Sequence, residues 1–285
     1  MLQIGIILAI LAAISFALSN IFSKALSTKT TAINSVLYQG FFISIFSLFF
    51  YIIFENNIEI PNLKATIGII IGGIFGFIGI FYLFKSFQNL DVGKTLIIAN
   101  TYPFLILLLS SIILKTQFSM LIIFPMLLIF IGIILLFNLK KNSNDIKKIK
   151  FPIIVSLSWG IFYFCITYIS QQNLSPFGIV FYIELMLFIS ALIYIIFSKN
   201  KILPTNQIKN ISYLSAVSGF FVMTGISLVT FSQLTINPAI TSSIKSFELI
   251  ITAILATLIY KEYLNFKNII GIIIAFIGII LFNFI

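Results

Sequence analysis

The hexapeptide FIGIIL occurs twice, at Phe130 to Leu135 and at Phe276 to Leu281, and each copy closes a half of similar length built from apolar segments. A chain of this kind is specified as two copies of one membrane unit in tandem. Apolar runs of about 20 residues, enough to cross a hydrocarbon core ~30 Å thick, can be laid out ten times. They cover 3–26, 31–54, 65–89, 93–114, 118–138, 151–172, 176–197, 210–233, 238–260 and 265–284. With 60% hydrophobic and only 8% charged residues, the chain cannot clothe a water-facing surface. Its solvent is the lipid bilayer. The longest polar stretch, KKNSNDIKKIK at 140–150, is too short for a domain and reads as a linker, so the chain divides into 1–139, 140–150 and 151–285.

Sliding one half on the other shows how they correspond. From Phe130 to Phe276 the offset is 146, and the same offset pairs Gly73 with Gly219, Gly79 with Gly225 and Lys115 with Lys261. Nearer the start of each half, Phe16 meets Trp159 at an offset of 143. Five spans per half is an odd number, so the second half must cross the membrane in the opposite sense to the first. The expected fold is an all-α membrane protein with ten transmembrane helices as two inverted five-helix repeats. Secondary transporters use this architecture, with the substrate site at the repeat interface near the midplane.

Several other readings fall away. The first apolar segment lacks a basic region before it and a small-residue cleavage site after it, so it is expected to be a span and not a signal peptide. Cys165 is the single cysteine, which leaves no disulfide within the chain. All seventeen basic residues are Lys, a composition in keeping with an AT-rich genome. The net charge of +10 does not mark a nucleic-acid binder, because the lysines sit in short loops without a folded basic surface. They sort by membrane face instead. Lys29, Lys94, Lys140, Lys141, Lys147, Lys148, Lys150, Lys199, Lys201, Lys209, Lys261 and Lys267 fall on one side, against Lys64 and Lys115 on the other. By the positive-inside rule the rich side is cytoplasmic, which puts both termini outside. No histidine is present, which removes Ser-His hydrolysis and His-ligated zinc in their usual forms. Gly93, Lys94 and Thr95 imitate the end of a phosphate loop, but Gln88 stands where its leading glycine belongs. No catalytic residue, metal or cofactor is expected, and the chain reads as no enzyme.

Ionisable side chains are costly in hydrocarbon, so those inside spans are the first candidates for a transport site. They are Lys24, Lys85, Glu184, Lys245 and Glu248. Lys245 and Glu248 are three residues apart on one helix and can pair with each other, which suits a structural ion pair as well as a binding role. Glu184 lies mid-span with no sequence-local partner. Lys24 and Lys85 stand within a turn or two of helix ends and can snorkel to the interface. Among uncharged residues, Asn20, Gln39, Asn100, Thr101, Tyr102, Tyr163, Tyr182 and Ser246 occur in apolar spans, where they could line a cavity or bond helix to helix. The repeat sets Tyr102 against Glu248 and Asn100 against Ser246. Trp159 and Tyr163, one turn apart, could wall a site for an apolar or cationic group. Gly68, Gly72 and Gly76 form a small-residue stripe expected to be a helix packing face.

The stretch QLTINPAITSSIKSFELIITAILATLIYKEYLNFKNIIGIIIAFIGIIL at 233–281 resembles the closing signature of the drug/metabolite transporter superfamily, in its EamA-like ten-helix branch. It has a loop proline, a mid-helix Glu, a Glu at the helix end, then Gly271 and Gly278. FQNLDVGKTLIIANTYPF at 87–104 is similar to the same element of the first half, with Pro103 at the proline position, and Phe16 to Lys24 resembles the opening aromatic-to-lysine pattern. The resemblance implies a multi-pass protein of the bacterial cytoplasmic (inner) membrane, monomeric or homodimeric. It implies export of a small metabolite, such as an amino acid or related zwitterion, by alternating access, with protons as coupling ions or no coupling at all. The binding residues expected are Glu184, Lys245, Glu248, Tyr102, Asn100, Trp159, Tyr163 and Lys24. A second class of function, a non-transporting membrane subunit of a lipid-linked sugar flippase or of another membrane complex, needs the same apolar helices but a protein partner.

Overall fold

A computed structural model describes residues 2–55, 58–113, 121, 123–136, 148–198, 208–235, 241, 244–245, 247–262 and 266–283. Among these the chain forms eleven helices and no strand. In the first half they are α1 (Leu2–Lys29), α2 (Ala32–Phe54), α3 (Leu63–Asn89), α4 (Val92–Ala99), α5 (Pro103–Ile113) and α6 (Ile123–Leu136). In the second they are α7 (Lys150–Ser170), α8 (Pro176–Ser198), α9 (Ile208–Thr235), α10 (Glu248–Tyr260) and α11 (Phe266–Asn283). Six single helices, and α4 with α5 as one crossing over Val92–Ile113, are long and apolar enough to span a bilayer; α10 and α11 are shorter apolar helices. Of the expected linker, residues 140–147 lie outside the described residues.

The helices start and pack for legible reasons. Thr31 caps α2, its side chain accepting from the Asn34 N–H, and Asn62 caps α3 by accepting from Ala65 N–H at 2.9 Å. Along α1, Ala9, Ala13 and Ala17 are fully buried while Ile4, Ile7, Leu11 and Ile14 are exposed. The alanine face admits a neighbouring helix closely, and the isoleucine and leucine face meets lipid. On α3 the glycine stripe does the same: a Cβ at Gly68, Gly72 or Gly76 would stand 2.7, 2.5 or 2.9 Å from Ile169, Ile183 and Phe162.

The two halves interlock instead of sitting side by side. The first helix of each half packs on the third of the other, α1 on α9 and α3 on α7, while α2 meets α8 and α6 meets α11. Pair after pair of contacts recurs at the repeat offsets. Ser86 Oγ lies 2.8 Å from Thr95 Oγ1, and 146 residues later Ser232 Oγ lies 2.9 Å from Thr241 Oγ1. Gly79 makes room for Trp159 as Gly225 makes room for Phe16, and Gly73 faces Met186 as Gly219 faces Ile43. This reciprocity is what an inverted two-fold repeat produces.

The fourth crossing departs from the continuous helix expected over 93–114. Its backbone tightens where Thr101 N–H donates to Ile98 O at 3.1 Å, three residues back, and α5 restarts at Pro103, which has no N–H to continue the ladder. The ninth crossing tightens at the equivalent place, Phe247 N–H donating to Ile244 O at 3.0 Å before α10 begins at Glu248. The backbone is thus interrupted at equivalent residues of the two halves, Thr101 and Phe247.

The glycines of the closing hexapeptide give a sharp test. A Cβ on Gly132 would stand 2.6 Å from the Ala275 nitrogen and the Gly271 oxygen, and one on Gly278 2.9 Å from backbone atoms of Ile129 and Pro125. Backbone cannot rotate away as a side chain can, so Gly132→Ala should lower stability by about 1–3 kcal/mol. Gly93→Ala meets nothing nearer than 3.9 Å and should be neutral or gain up to about 1 kcal/mol. Thermal unfolding in detergent, read on both variants, checks the contrast.

Candidate functional site

The interlocked helices leave a cavity of about 90 Å³ near their middles, reached by residues of both halves. At roughly 10–15 Å³ per water centre it holds several waters or one small polar group. Phe16, Trp159, Phe162 and Tyr163 supply aromatic walls, Ser19, Asn20, Ser23 and Gln39 a polar side, and Glu184, Lys245 and Glu248 the charge.

Lys245 and Glu248 do pair, Nζ to Oε1 at 2.8 Å, with only 13% and 5% of their side chains exposed. The break before α10 places Glu248 at the first turn of that helix, where the positive helix end favours a carboxylate. The Lys245 ammonium also lies 4.8 Å from the centre of the Phe16 ring, a cation over an aromatic face. Glu184 differs. It is 3% exposed, and among the described residues its Oε2 finds no hydrogen-bond donor. With Lys245 committed to Glu248, Glu184 is the uncompensated acid of the cavity. Tyr163 lies within electrostatic reach of Glu184, Lys245 and Glu248 alike.

Of the other expected binding residues, Trp159 and Tyr163 line the cavity, and Tyr102 stands behind them. Its ring stacks on Tyr163 at 4.7 Å and meets Trp159 edge-on at 6.1 Å. Asn100 turns its amide back onto the Leu96 carbonyl at 2.8 Å, an oxygen that also accepts the Asn100 backbone N–H. Its repeat partner Ser246 lies outside the described residues. Lys24 is not on the cavity wall. Lys85 is elsewhere too, lining a surface groove of about 750 Å³ with Lys29 and Tyr194, its ammonium 4.4 Å from the Phe81 ring centre.

A polar cluster that the sequence reading had not assembled completes the wall. Gln39 donates from Nε2 to Ser23 Oγ at 3.0 Å and to Ser218 Oγ, Ser23 and Ser218 are 2.8 Å apart, and Ser19 joins at 3.5 Å. Ser19 and Ser23, one turn apart beside Asn20, were the available signal. Their partner Ser218 is too far along the chain for spacing to reveal it.

Lys24 belongs instead to a second cluster, between the cavity and the lysine-rich face. Its ammonium donates to Phe87 O and, at 3.1 Å, to Leu90 O, and lies 3.9 Å from Glu262 Oε1. Lys261, in the left-handed region at φ 54°, ends α10 and swings the chain so that both Glu262 oxygens accept the Val92 N–H at 3.0 Å. A carboxylate there caps the positive end of α4. Burial, with the nearby Asp91 carboxylate, holds the Glu262 carboxyl above the usual range, against the opposing pull of the Val92 amide and Lys24.

Comparison with known proteins agrees with this arrangement. A solved crystal structure of a protein with 11% sequence identity shares the fold over 98% of this chain and 96% of its own, with a TM-score of 0.64. An uncharacterized transporter of Archaeoglobus fulgidus is 22% identical over 227 residues, 77% of each chain. The model of the EamA-like transporter family matches twice, over residues 3–138 and 147–284, once in each half. The chain is therefore a multi-pass membrane transporter and belongs to the EamA-like transporter family.

Proposed function

We propose that this chain is a secondary transporter that exports a small zwitterion, an amino acid or close relative, by alternating access between its two halves. The observation that carries the reading is Glu184, a buried acid with one oxygen that finds no donor among the described residues, in a cavity shared by both halves, opposite a lysine held by a second acid. An unpaired carboxylate in such a place is costly and attracts a cation. The substrate ammonium takes that position against Glu184, flanked by the faces of Phe162 and Tyr163. Its carboxylate reaches Lys245, drawing it off Glu248. When no substrate is bound, a proton on Glu184 neutralises the same charge, which gives a route to proton exchange. The membrane is the bacterial cytoplasmic membrane, and the chain acts as a monomer or homodimer.

A thermal-shift screen of the purified protein tests the substrate class. A ligand that binds only the folded state at a hundred times its Kd adds about 2.7 kcal/mol of apparent stability. Amino acids are expected to raise the melting temperature, and nucleotides and fatty acids to leave it unchanged. A response to polyamines or quaternary amines alone would move the substrate to the cations.

Orientation has its own test. With Cys165 replaced by Ser, a cysteine introduced at Asn144 should resist an impermeant thiol reagent in intact cells and react once the membrane is permeabilised, since the lysine-rich face is expected inside. Ready labelling of intact cells would reverse the assignment.

A further inference from the structure

We propose that Glu262, Lys24 and the first amide of α4 form a gate that closes the cavity toward the lysine-rich face. The inference rests on the alternating-access reading. On α3 and α4 the gate stands about one turn beyond the cavity wall, and on α1 it follows the wall directly. Ser23 lines the cavity and Lys24 follows it, Leu83 lines it and Phe87 accepts the Lys24 ammonium, Leu96 lines it and Val92 donates to Glu262. Glu262 comes from the second half, whereas Lys24, Phe87 and Val92 come from the first. The contacts therefore tie the two halves together at the place where they must separate for the cavity to open. Tyr260, donating its hydroxyl proton to Ile21 O at 2.6 Å, binds the end of α10 to α1 in the same layer.

The repeat does not carry the same side chains at the equivalent positions. At the position equivalent to Glu262 stands Thr116, without a carboxylate. Val92 is matched by Pro238, which has no N–H to donate, and Lys24 by Thr167. The opposite face ties the halves by a different contact, the Glu59 carboxylate accepting from the Ser175 N–H at 2.6 Å. Opening toward the lysine-rich face must break the charge-assisted hydrogen bonds that Glu262 accepts from the Val92 amide and its ion pair with Lys24. Glu262 therefore weights the balance of open states against the one that faces the lysine-rich side. Glu262 and Lys24 are positioning residues, since neither lines the cavity.

Side-specific labelling tests this without any substrate. In a Cys165→Ser background, Val222→Cys places a thiol on the cavity wall away from the polar clusters. An impermeant thiol reagent is then applied to each face separately, in right-side-out and inside-out vesicles. Glu262→Gln should raise the labelling rate from the lysine-rich face about tenfold or more, the shift in a closed-to-open equilibrium that loss of one charge-assisted contact gives. From the other face the rate should stay level or fall. Lys24→Met, which leaves the cap on α4 in place, should give a smaller rise from the same face, and it carries the test alone if Glu262→Gln does not fold. Folded variants labelled at the parent rate from the lysine-rich face would overturn the gate. So would an equal rise from both faces, which marks general loosening. Because labelling needs no solute, a failed solute screen with a one-sided labelling change would strike the proposed substrate and spare the gate.

Discussion

Glu184→Gln is expected to abolish transport while leaving the protein folded. Glu184 is 3% exposed and one of its oxygens has no donor among the described residues, so at that oxygen the amide loses no contact. Gln is nearly isosteric and neutral, and unpaired neutral groups cost less to bury than unpaired charges. Stability should therefore hold or rise slightly. Function should not. Truncating one member of a buried charge pair costs on the order of 2–5 kcal/mol, here the pair made with substrate ammonium, so apparent affinity should fall about thirtyfold or more. Gel filtration and thermal unfolding establish the fold, and initial flux at several solute concentrations reads the loss. Full flux by a well-folded Glu184→Gln would take this acid out of the mechanism.

Lys245 and Glu248 call for the opposite pattern, because each is the other's partner at 2.8 Å. Lys245→Met strands Glu248, and Glu248→Gln strands Lys245, inside the protein. Each single change should lower stability by on the order of 3–5 kcal/mol, and the double variant should recover most of that, since both buried charges are gone. A double-mutant cycle on thermal unfolding measures the coupling. Flux separates the two roles. If Lys245 also meets the substrate carboxylate, the double variant will be stable and poor at moving zwitterions. Stable and fully active, it would confine the pair to structure.

Much of this molecule can be read from one sequence because its repeat is legible. The FIGIIL copies, the paired glycines and the match of Phe16 to Trp159 were visible as letters. They become the reciprocal contacts of Gly79 with Trp159 and Gly225 with Phe16. The Lys245 to Glu248 pair was readable because its geometry is local, three residues on a helix. What stayed hidden depends on contacts between distant helices. Gln39 reaches Ser218 across 179 positions, and serine is too common in membrane helices to stand out. Lys24 was a candidate binding residue as an ionisable group inside a span that fits the family's aromatic-to-lysine pattern, but only the packing of α3 and α10 around it shows its ammonium on carbonyls and Glu262. The helix breaks at Thr101 and Phe247 were hidden for another reason. Hydropathy runs straight through them, and Pro103 marks a break in one half that Leu249 does not mark in the other.

The central claim is that this chain alone moves a zwitterion through the cavity between its halves. The most direct measurement is exchange of a radiolabelled amino acid, chosen from the thermal-shift screen, by liposomes containing only the purified protein, with Glu184→Gln measured beside it. The account expects saturable exchange by the native chain and almost none by the variant at equal incorporation. No exchange by a folded native chain that binds the solute, or equal exchange by the variant, would contradict it.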